Sequence, residues 1–340
     1  METQKPKIVV ITPIKNEAWI LDRFLSVTSQ FADHIIIADQ NSTDGSQDIC
    51  QKYPKVTLIE NKSENFNESG RQLLLIQAAR DLIPEHKIIL ALDADEILAA
   101  NAIHTQSWQT MLKAKPGTVL FFEKPDLFVT THQCLRTGIL TPLGYVDDGA
   151  EHQPQKIHSV RIPMPEYATR LHIHDIKVMH YAVTRVDAHA SKLRMYSVIE
   201  NVLEVSHPLS RRSRYTSKPD YLSLGKLETA AQEWFTGWEK RGIDMHTIIK
   251  QKYYHYDFEV LHYFHKYGIK RFWTEDIWAY DWEACRKYAQ SIGMSDIPDY
   301  QITKAGKKLE LRKFLDMIMS MLTQSYQYVY SVLKPSVKVG

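Results

Sequence analysis

The stretch Ile88-Ile89-Leu90-Ala91-Leu92-Asp93-Ala94-Asp95-Glu96 decides how the rest of the chain folds. Its apolar half reads as a buried strand. Three acidic groups follow within four residues as that run ends. In an extended segment residues i and i+2 point to one side. Asp93 and Asp95 are therefore expected to face one point, with Ala94 turned away. Two carboxylates brought together repel unless a cation lies between them, and a hard divalent ion with oxygen ligands, Mg²⁺ or Mn²⁺, suits that arrangement. The plain alternative is a solvated acidic turn.

Working outward, Lys7–Thr12 is a short β-branched run that Pro13 is expected to end. Ala18–Phe31 carries apolar residues at helical spacing. His34–Ala38 is a second strand, stopped by Asp39-Gln40-Asn41-Ser42, and Val56–Glu60 a third. Asn67–Leu82 reads as a helix with Leu73, Leu74, Gln77 and Ala78 facing inward. Strands alternating with helices at this spacing predict βαβ units and a mostly parallel sheet. In such sheets ligands bind beyond the carboxyl ends of the strands. Thr12-Pro13, Asp39–Ser42 and Asp93–Asp95 all fall at those ends, so they are expected to line one crevice.

Beyond residue 116 the alternation weakens. Val119–Glu123 and Phe128–Thr131 have strand character, and residues 141–170 read as a long irregular region. Ile176–Val183 returns to strand and Ala188–Leu203 to helix. Residues 207–220 form a basic segment bounded by prolines, followed by aromatic-rich helices. The expected division is 1–206 for a nucleotide-sugar-binding and catalytic domain and 207–340 for a helical extension.

The 340 residues are 44% hydrophobic and 24% charged, an ordinary globular balance, and the net charge of +2 argues against nucleic acid as a partner. Cys50, Cys134 and Cys285 have neither metal spacing nor an even count, so a reducing compartment is expected. No signal-like apolar run precedes the first strand, and a cytoplasmic location is the expectation.

As a set, Ile11–Glu17, Ala38–Ser46, Asn67–Arg80 and Leu92–Glu96 resemble, in order and spacing, the family 2 glycosyltransferases of GT-A fold. The resemblance covers roughly the first 125 residues, a domain-sized block, and returns at His180-Tyr181, Arg185, Lys192 and Tyr196. It implies an α/β, Rossmann-like catalytic domain that moves a sugar from a nucleotide diphosphate donor, UDP-linked, to a glycan or lipid-linked acceptor, as in polysaccharide biosynthesis. It implies that Asp95 binds Mn²⁺ or Mg²⁺, that Asp93 reaches the ribose or a metal-bound water, and that Thr12, Pro13 and Glu17 lie near the nucleoside. Asp39 is expected to accept from a pyrimidine N–H, Arg71 to lie near the donor, and Asn41 and Ala94 to line the same site. Gln40 departs from the family, where many members carry a second Asp.

His180 follows a strand, and its neutral imidazole suits Mn²⁺. His152, His158, His172 and His174 lack a compact zinc spacing. Arg211, Arg212 and Arg214 suit phosphate oxygens, although a solvated loop explains them equally. An inverting enzyme needs a carboxylate to take the acceptor proton. Tyr145–His152 offers Asp148, then Glu151, then Asp147, with a turn-forming Asp-Asp-Gly as the alternative. Residues 301–340 hold seven Lys or Arg against two acidic residues. With Leu311, Phe314, Leu315, Ile318, Met321 and Leu322 at helical spacing, residues 305–340 are expected either to contact an anionic membrane or to pack on the catalytic domain. The competing functions are a nucleotidyltransferase and a catalytically silent carbohydrate-binding protein.

Overall fold

The computed structural model describes residues 5–61, 66–217, 219–223, 225–302, 314 and 317–325. The first part follows the expected alternation: β1 (Lys7–Ile14), α1 (Ala18–Thr28), β2 (His34–Asp39), α2 (Ser46–Cys50), β3 (Val56–Glu60), α3 (Glu68–Leu82) and β4 (Lys87–Ala91). β1 lies between β2 and β4, parallel to both, and β3 pairs parallel to β2. These four parallel strands form the scaffold: β1, β2 and β4 have fully or largely buried central residues, and the edge strand β3 is half-buried.

Pro13 does not end β1, which continues to Ile14. The last pair with β4 is Ile11 with Ala91. The carbonyl of Ile11 accepts from Leu92 on the β4 side and that of Ile14 from Gln40 on the β2 side. Backbone polar groups alternate along a strand, so Pro13 faces the side where β4 has already stopped. Its missing N–H breaks no ladder bond.

The chain then forms β5 (Glu96–Leu98), α4 (Gln106–Leu112), β6 (Thr118–Glu123), β7 (Asp126–Leu127), β8 (Gln133–Arg136), β9 (Leu140–Val146) and β10 (Thr169–His180). β9 runs antiparallel to both β4 and β6, and β10 runs parallel to β6. β6 and β10 therefore share the direction of β4, and their carboxyl ends lie with those of β1 and β2. With β11 (Lys226–Thr229), the order is β11-β8-β7-β10-β6-β9-β4-β1-β2-β3, with β5 on β10.

Part of the region expected to be irregular is thus the central strand β9. Gly144 shows why composition hides it: a Cβ there would meet Leu90 Cδ2 at 2.8 Å and Leu120 Cδ1 at 2.9 Å. The inward face of α3 also differs from expectation. Glu68, Gln72, Leu75, Ile76 and Ala79 are buried, whereas Leu73 and Leu74 are exposed. Two polar side chains occupy the inner face because Glu68 accepts the backbone N–H groups of His158 and Ser159 and Gln72 pairs with His152.

The chain divides into two compact units, each made of two segments. The first comprises 1–185 and 221–249; the second comprises 186–220 and 250–340. The expected boundary at 206 falls inside a segment of the second unit, and residues 221–249 return to the first. There α7 (Glu233–Glu239) buries Trp234, Phe235 and Trp238 in the main core, and the Trp238 indole N–H donates to the Leu98 carbonyl at 2.8 Å. The second unit holds α5 (Val186–Leu203), α6 (Pro208–Arg214), α8 (His255–Tyr267) and α9 (Trp282–Ser291). Phe264 packs between Trp278 and Trp282, so these aromatics are core. No helix among the described residues is long and apolar enough to cross a membrane. Most of 305–340, including Leu311 and Leu315, lies outside the described residues.

Candidate active site

Two loops at the carboxyl ends of β1 and β2 are tied together by side chains. Asn16 and Asn41 adopt left-handed backbone, which Asn tolerates better than most residues. The Asn16 amide oxygen accepts from Thr43 N–H at 2.8 Å, and the N–H groups of Asn16, Glu17 and Ala18 donate to Ser42, Ser46 and Asp44. Glu17 accepts from the Trp19 indole at 2.7 Å. Inside this rim Asp39 Oδ2 accepts from Ser42 N–H and Gln47, while Oδ1 is buried with no hydrogen-bond partner among the described residues. Thr12 Oγ1 is buried in the same condition. Such groups cost free energy unless something satisfies them. Arg71, in the first turn of α3 on the same side of the sheet, has an unpartnered buried Nε.

The acidic stretch after β4 is not extended. Glu96 N–H donates to the Asp93 carbonyl at 2.9 Å, closing a turn, and Asp93 N–H donates to the Glu96 carboxylate at 3.1 Å. Asp93 and Asp95 consequently engage different cations. Asp93 pairs with Arg161 at 2.9 Å, whereas Asp95 Oδ2 lies 3.6 Å from His180 Nε2. Glu96 is the anchor of the turn, 1% exposed and held by Arg161 at 2.9 Å and Lys124 at 3.0 Å. Burial alone would raise its pKa; Arg161, Lys124 and His180 outweigh that and bring it down to about 2.

His180 ends β10. The β5–β10 pairing sets it opposite Glu96, and Tyr181 N–H donates to the Asp95 carbonyl at 2.8 Å. Its Nδ1 is 2.5 Å from Asp126 Oδ1 at the start of β7. Burial and Lys124 push the imidazole pKa down, but Asp95 and Asp126 raise it to about 9. The donor chemistry fits a divalent cation: a carboxylate and an imidazole face each other, and two ligands about 2.1 Å from one ion lie roughly 3–4 Å apart. No group of three His, Cys, Asp or Glu forms a closed cage among the described residues.

The structure does not bring Asp147, Asp148 and Glu151 to this crevice. β9 returns antiparallel, so its end lies at the amino ends of β4 and β6. Asp147 N–H donates to the Lys87 carbonyl, and its carboxylate pairs with Arg80 at 2.8 Å and Lys87 at 3.3 Å. Lys87 and Asp93 are separated by the whole of β4, roughly 20 Å of strand. Asp148 accepts from Tyr145 and Tyr167 and from Ala150 N–H. Glu151 is exposed between Ala150, whose carbonyl accepts from Arg80, and His152, which is paired with Gln72. Residues 153–161 then lead along α3 to the crevice, where Arg161 arrives.

The basic segment is also spent elsewhere. Within the second unit Arg211 pairs with buried Glu275 at 2.8 Å, Arg212 donates to the Thr274 carbonyl, and Arg214 pairs with Glu200 at 2.7 Å. It is a helix end, neither a solvated loop nor a phosphate clamp. His172 and His174 are exposed on β10 and His158 on its loop, apart from buried His152. Sequence reasoning missed Glu96 as an anchor and missed Lys124, Asp126 and Arg161. The one available signal was the Lys124-Pro125-Asp126 charge cluster directly after the apolar run of β6.

The α/β domain thus carries an acidic turn, a histidine and an orphaned carboxylate oxygen at one end of its sheet. Residues 9–106 match the model for glycosyl transferase family 2. A search of curated proteins found no significant match. Among solved structures the chain is similar to a 4-diphosphocytidyl-2C-methyl-D-erythritol synthase at 14% identity and TM-score 0.29, over 42% of this chain and 76% of that one. It is similar to the corresponding synthase of Anaerococcus prevotii at 16% identity and TM-score 0.26, over 36% and 55%. It is also similar to glucosyl-3-phosphoglycerate synthase from Mycobacterium tuberculosis, in complex with Mn²⁺, UDP and glucosyl-3-phosphoglycerate, at 15% identity and TM-score 0.25, over 36% and 44%. This chain thus spans about half or less of the length of those last two structures.

Proposed function

We propose that the protein transfers a sugar from a UDP-sugar to the hydroxyl of a glycan or lipid-linked acceptor, with Mn²⁺ or Mg²⁺ held by Asp95 and His180. The observation that carries this reading is the facing of Asp95 and His180 at the sheet end that also holds the orphaned Asp39 oxygen.

Asp39 Oδ1 supplies an acceptor for the N–H of a uracil ring, and Thr12 a hydroxyl beside it. Pro13, Glu17 and Asn41 form the rim of the nucleoside pocket. Arg71 offers a guanidinium to the diphosphate. Asp93, released from Arg161 or sharing it, orients the ribose, and buried Ala94 keeps the turn close against the sheet. When bound, the divalent cation supplies positive charge to the departing diphosphate. The acceptor hydroxyl displaces the diphosphate at the anomeric carbon with inversion, and its proton leaves to a base at the carboxyl end of the sheet. A nucleotidyltransferase would want a glycine-rich basic loop after β1, whereas Lys15-Asn16-Glu17 has no glycine and is tied to residues 42–46.

The test is thermal unfolding with a panel of nucleotides, with and without Mn²⁺, because a ligand of the native state raises Tm. UDP with Mn²⁺ is expected to give the largest shift, reduced in Asp39→Asn, and UDP-sugars are expected to be slowly hydrolysed. A larger shift with a purine nucleotide, or a UDP shift indifferent to Mn²⁺, overturns this reading.

A further inference from the structure

We infer that Asp126 is a positioning residue, which holds His180 through Nδ1 so that Nε2 and the Asp95 carboxylate form a preset pair for a divalent cation. This rests on the metal reading above and extends it to a residue outside the acidic motif.

Three strands fix the imidazole. His180 N–H donates to the Pro125 carbonyl at 2.9 Å, Tyr181 N–H donates to the Asp95 carbonyl at 2.8 Å, and β7 pairs Asp126 beside His180 in parallel register. The backbone that carries the ring is therefore held on both sides before any side chain acts. A carboxylate 2.5 Å from Nδ1 accepts only, so that nitrogen must carry the proton. Nε2, which faces Asp95, is then the nitrogen left to bind a cation in place of its own proton. Metal-bound histidines commonly have such a carboxylate partner, which sets the tautomer and strengthens the donor. Asp126 has 29% of its side chain exposed. Its replacement therefore leaves no fully buried cavity.

The experiment titrates Mn²⁺ into the full-length protein with UDP, following free Mn²⁺ by EPR and bound imidazole by the ¹⁴N modulation in pulsed EPR. Wild type is expected to show the modulation and His180→Ala to lose it. Asp126→Ala should weaken Mn²⁺ by about 10–100-fold, the range for such partners, and diminish the modulation. Asp126→Asn, whose amide oxygen still accepts from Nδ1–H, should recover most of both. Asp126→Ser replaces the alanine variant if that one melts below the assay temperature. Wild-type affinity and modulation in Asp126→Ala overturn the inference alone. So does weakened affinity with unchanged modulation, which marks a merely structural role. No Mn²⁺ binding by wild type with UDP overturns the metal reading itself.

Discussion

Arg161 Nη1 stands 2.9 Å from Asp93 Oδ1, and the same guanidinium reaches Glu96 at 2.9 Å. One side chain from the segment after β9 thus closes the acidic turn after β4. The two carboxylates differ in exposure, 39% for Asp93 and 1% for Glu96. Removing Arg161 leaves Glu96 buried with Lys124 and His180 as its remaining cations. Breaking a buried pair typically costs about 3–5 kcal/mol, whereas an exposed pair is worth about 1 kcal/mol or less. Arg161→Gln is expected to lose roughly 3 kcal/mol in urea unfolding at neutral pH and Asp93→Asn under about 1 kcal/mol. Equal losses would show that the guanidinium serves Asp93 and not Glu96.

Asp95→Asn should reduce transfer by at least about 100-fold, in the range seen when electrostatic stabilisation of a transition state is removed. The amide keeps the volume, so Tm without ligand should stay near wild type. The check is turnover together with the Mn²⁺-dependent part of the UDP thermal shift, and full activity in excess chelator would contradict the assignment.

Asp148→Asn should leave turnover within about twofold of wild type, because Asp148 lies at the opposite end of the sheet from Asp95. Asp147→Asn should also spare turnover per folded molecule but lower stability by roughly 3 kcal/mol, since Arg80 and Lys87 lose their common carboxylate. A general base would instead cost about 10²–10⁴-fold in turnover. Steady-state kinetics on both variants, normalised to folded protein, separate the two outcomes.

His152 gives a pH signature. Its ring is buried against Gln72 at 2.9 Å, and burial first and the Arg80 charge second lower its pKa from 6.5 to about 4. The unfolded chain therefore takes up this proton before the folded one does. Stability should be full above about pH 6.5, fall as pH drops towards 4, and lose nothing further from this group below that. At roughly 1.4 kcal/mol per unit the loss is at most about 3.5 kcal/mol. Urea unfolding of wild type and His152→Gln at pH 7.5 and 4.5 should show a smaller pH difference in the variant; parallel losses would remove His152 as the cause.

Residues 305–340 are proposed to hold the protein at anionic lipid. In the described helical residues 317–325, Met317, Met321 and Leu322 are exposed, as is Phe314 before them. Deleting 305–340 should lower co-sedimentation with anionic vesicles at low salt and spare UDP-sugar hydrolysis. Equal sedimentation of the two forms, or failure of the full chain to bind, would reject the proposal.

The scaffold was legible because β1, β2 and β4 are unbroken apolar runs, and the crevice followed from where those runs stop. The details that failed share a physical origin in pairing between distant segments. Gly144 and Pro142 give β9 a loop-like composition, yet its glycine is what lets it lie flush between Leu90 and Leu120. Missing that strand placed Asp147 and Asp148 at the wrong end of the sheet. Asp126 showed only as part of a charge cluster after β6 and Arg161 not at all, because only the β7–β10 pairing and the route of residues 147–161 bring them to the acidic turn. The turn itself was read as extended, since nothing local distinguishes Asp-Ala-Asp in a strand from the same residues closed by a Glu96–Asp93 hydrogen bond.

The return of residues 221–249 to the first unit bears on how the chain comes off a ribosome. Trp234, Phe235 and Trp238 fill the core beside Ala99 and Ala100, and Ala100 N–H donates to the Trp234 carbonyl at 2.7 Å. A nascent chain that has emerged through Arg185 already contains all the crevice residues but not the tryptophans that seal the layer beneath β5. At about 5–20 residues per second, the missing stretch to Ile249 follows only some 3–13 s later. For that interval an apolar trough stands open to water, an invitation to chaperones and to neighbouring nascent chains alike.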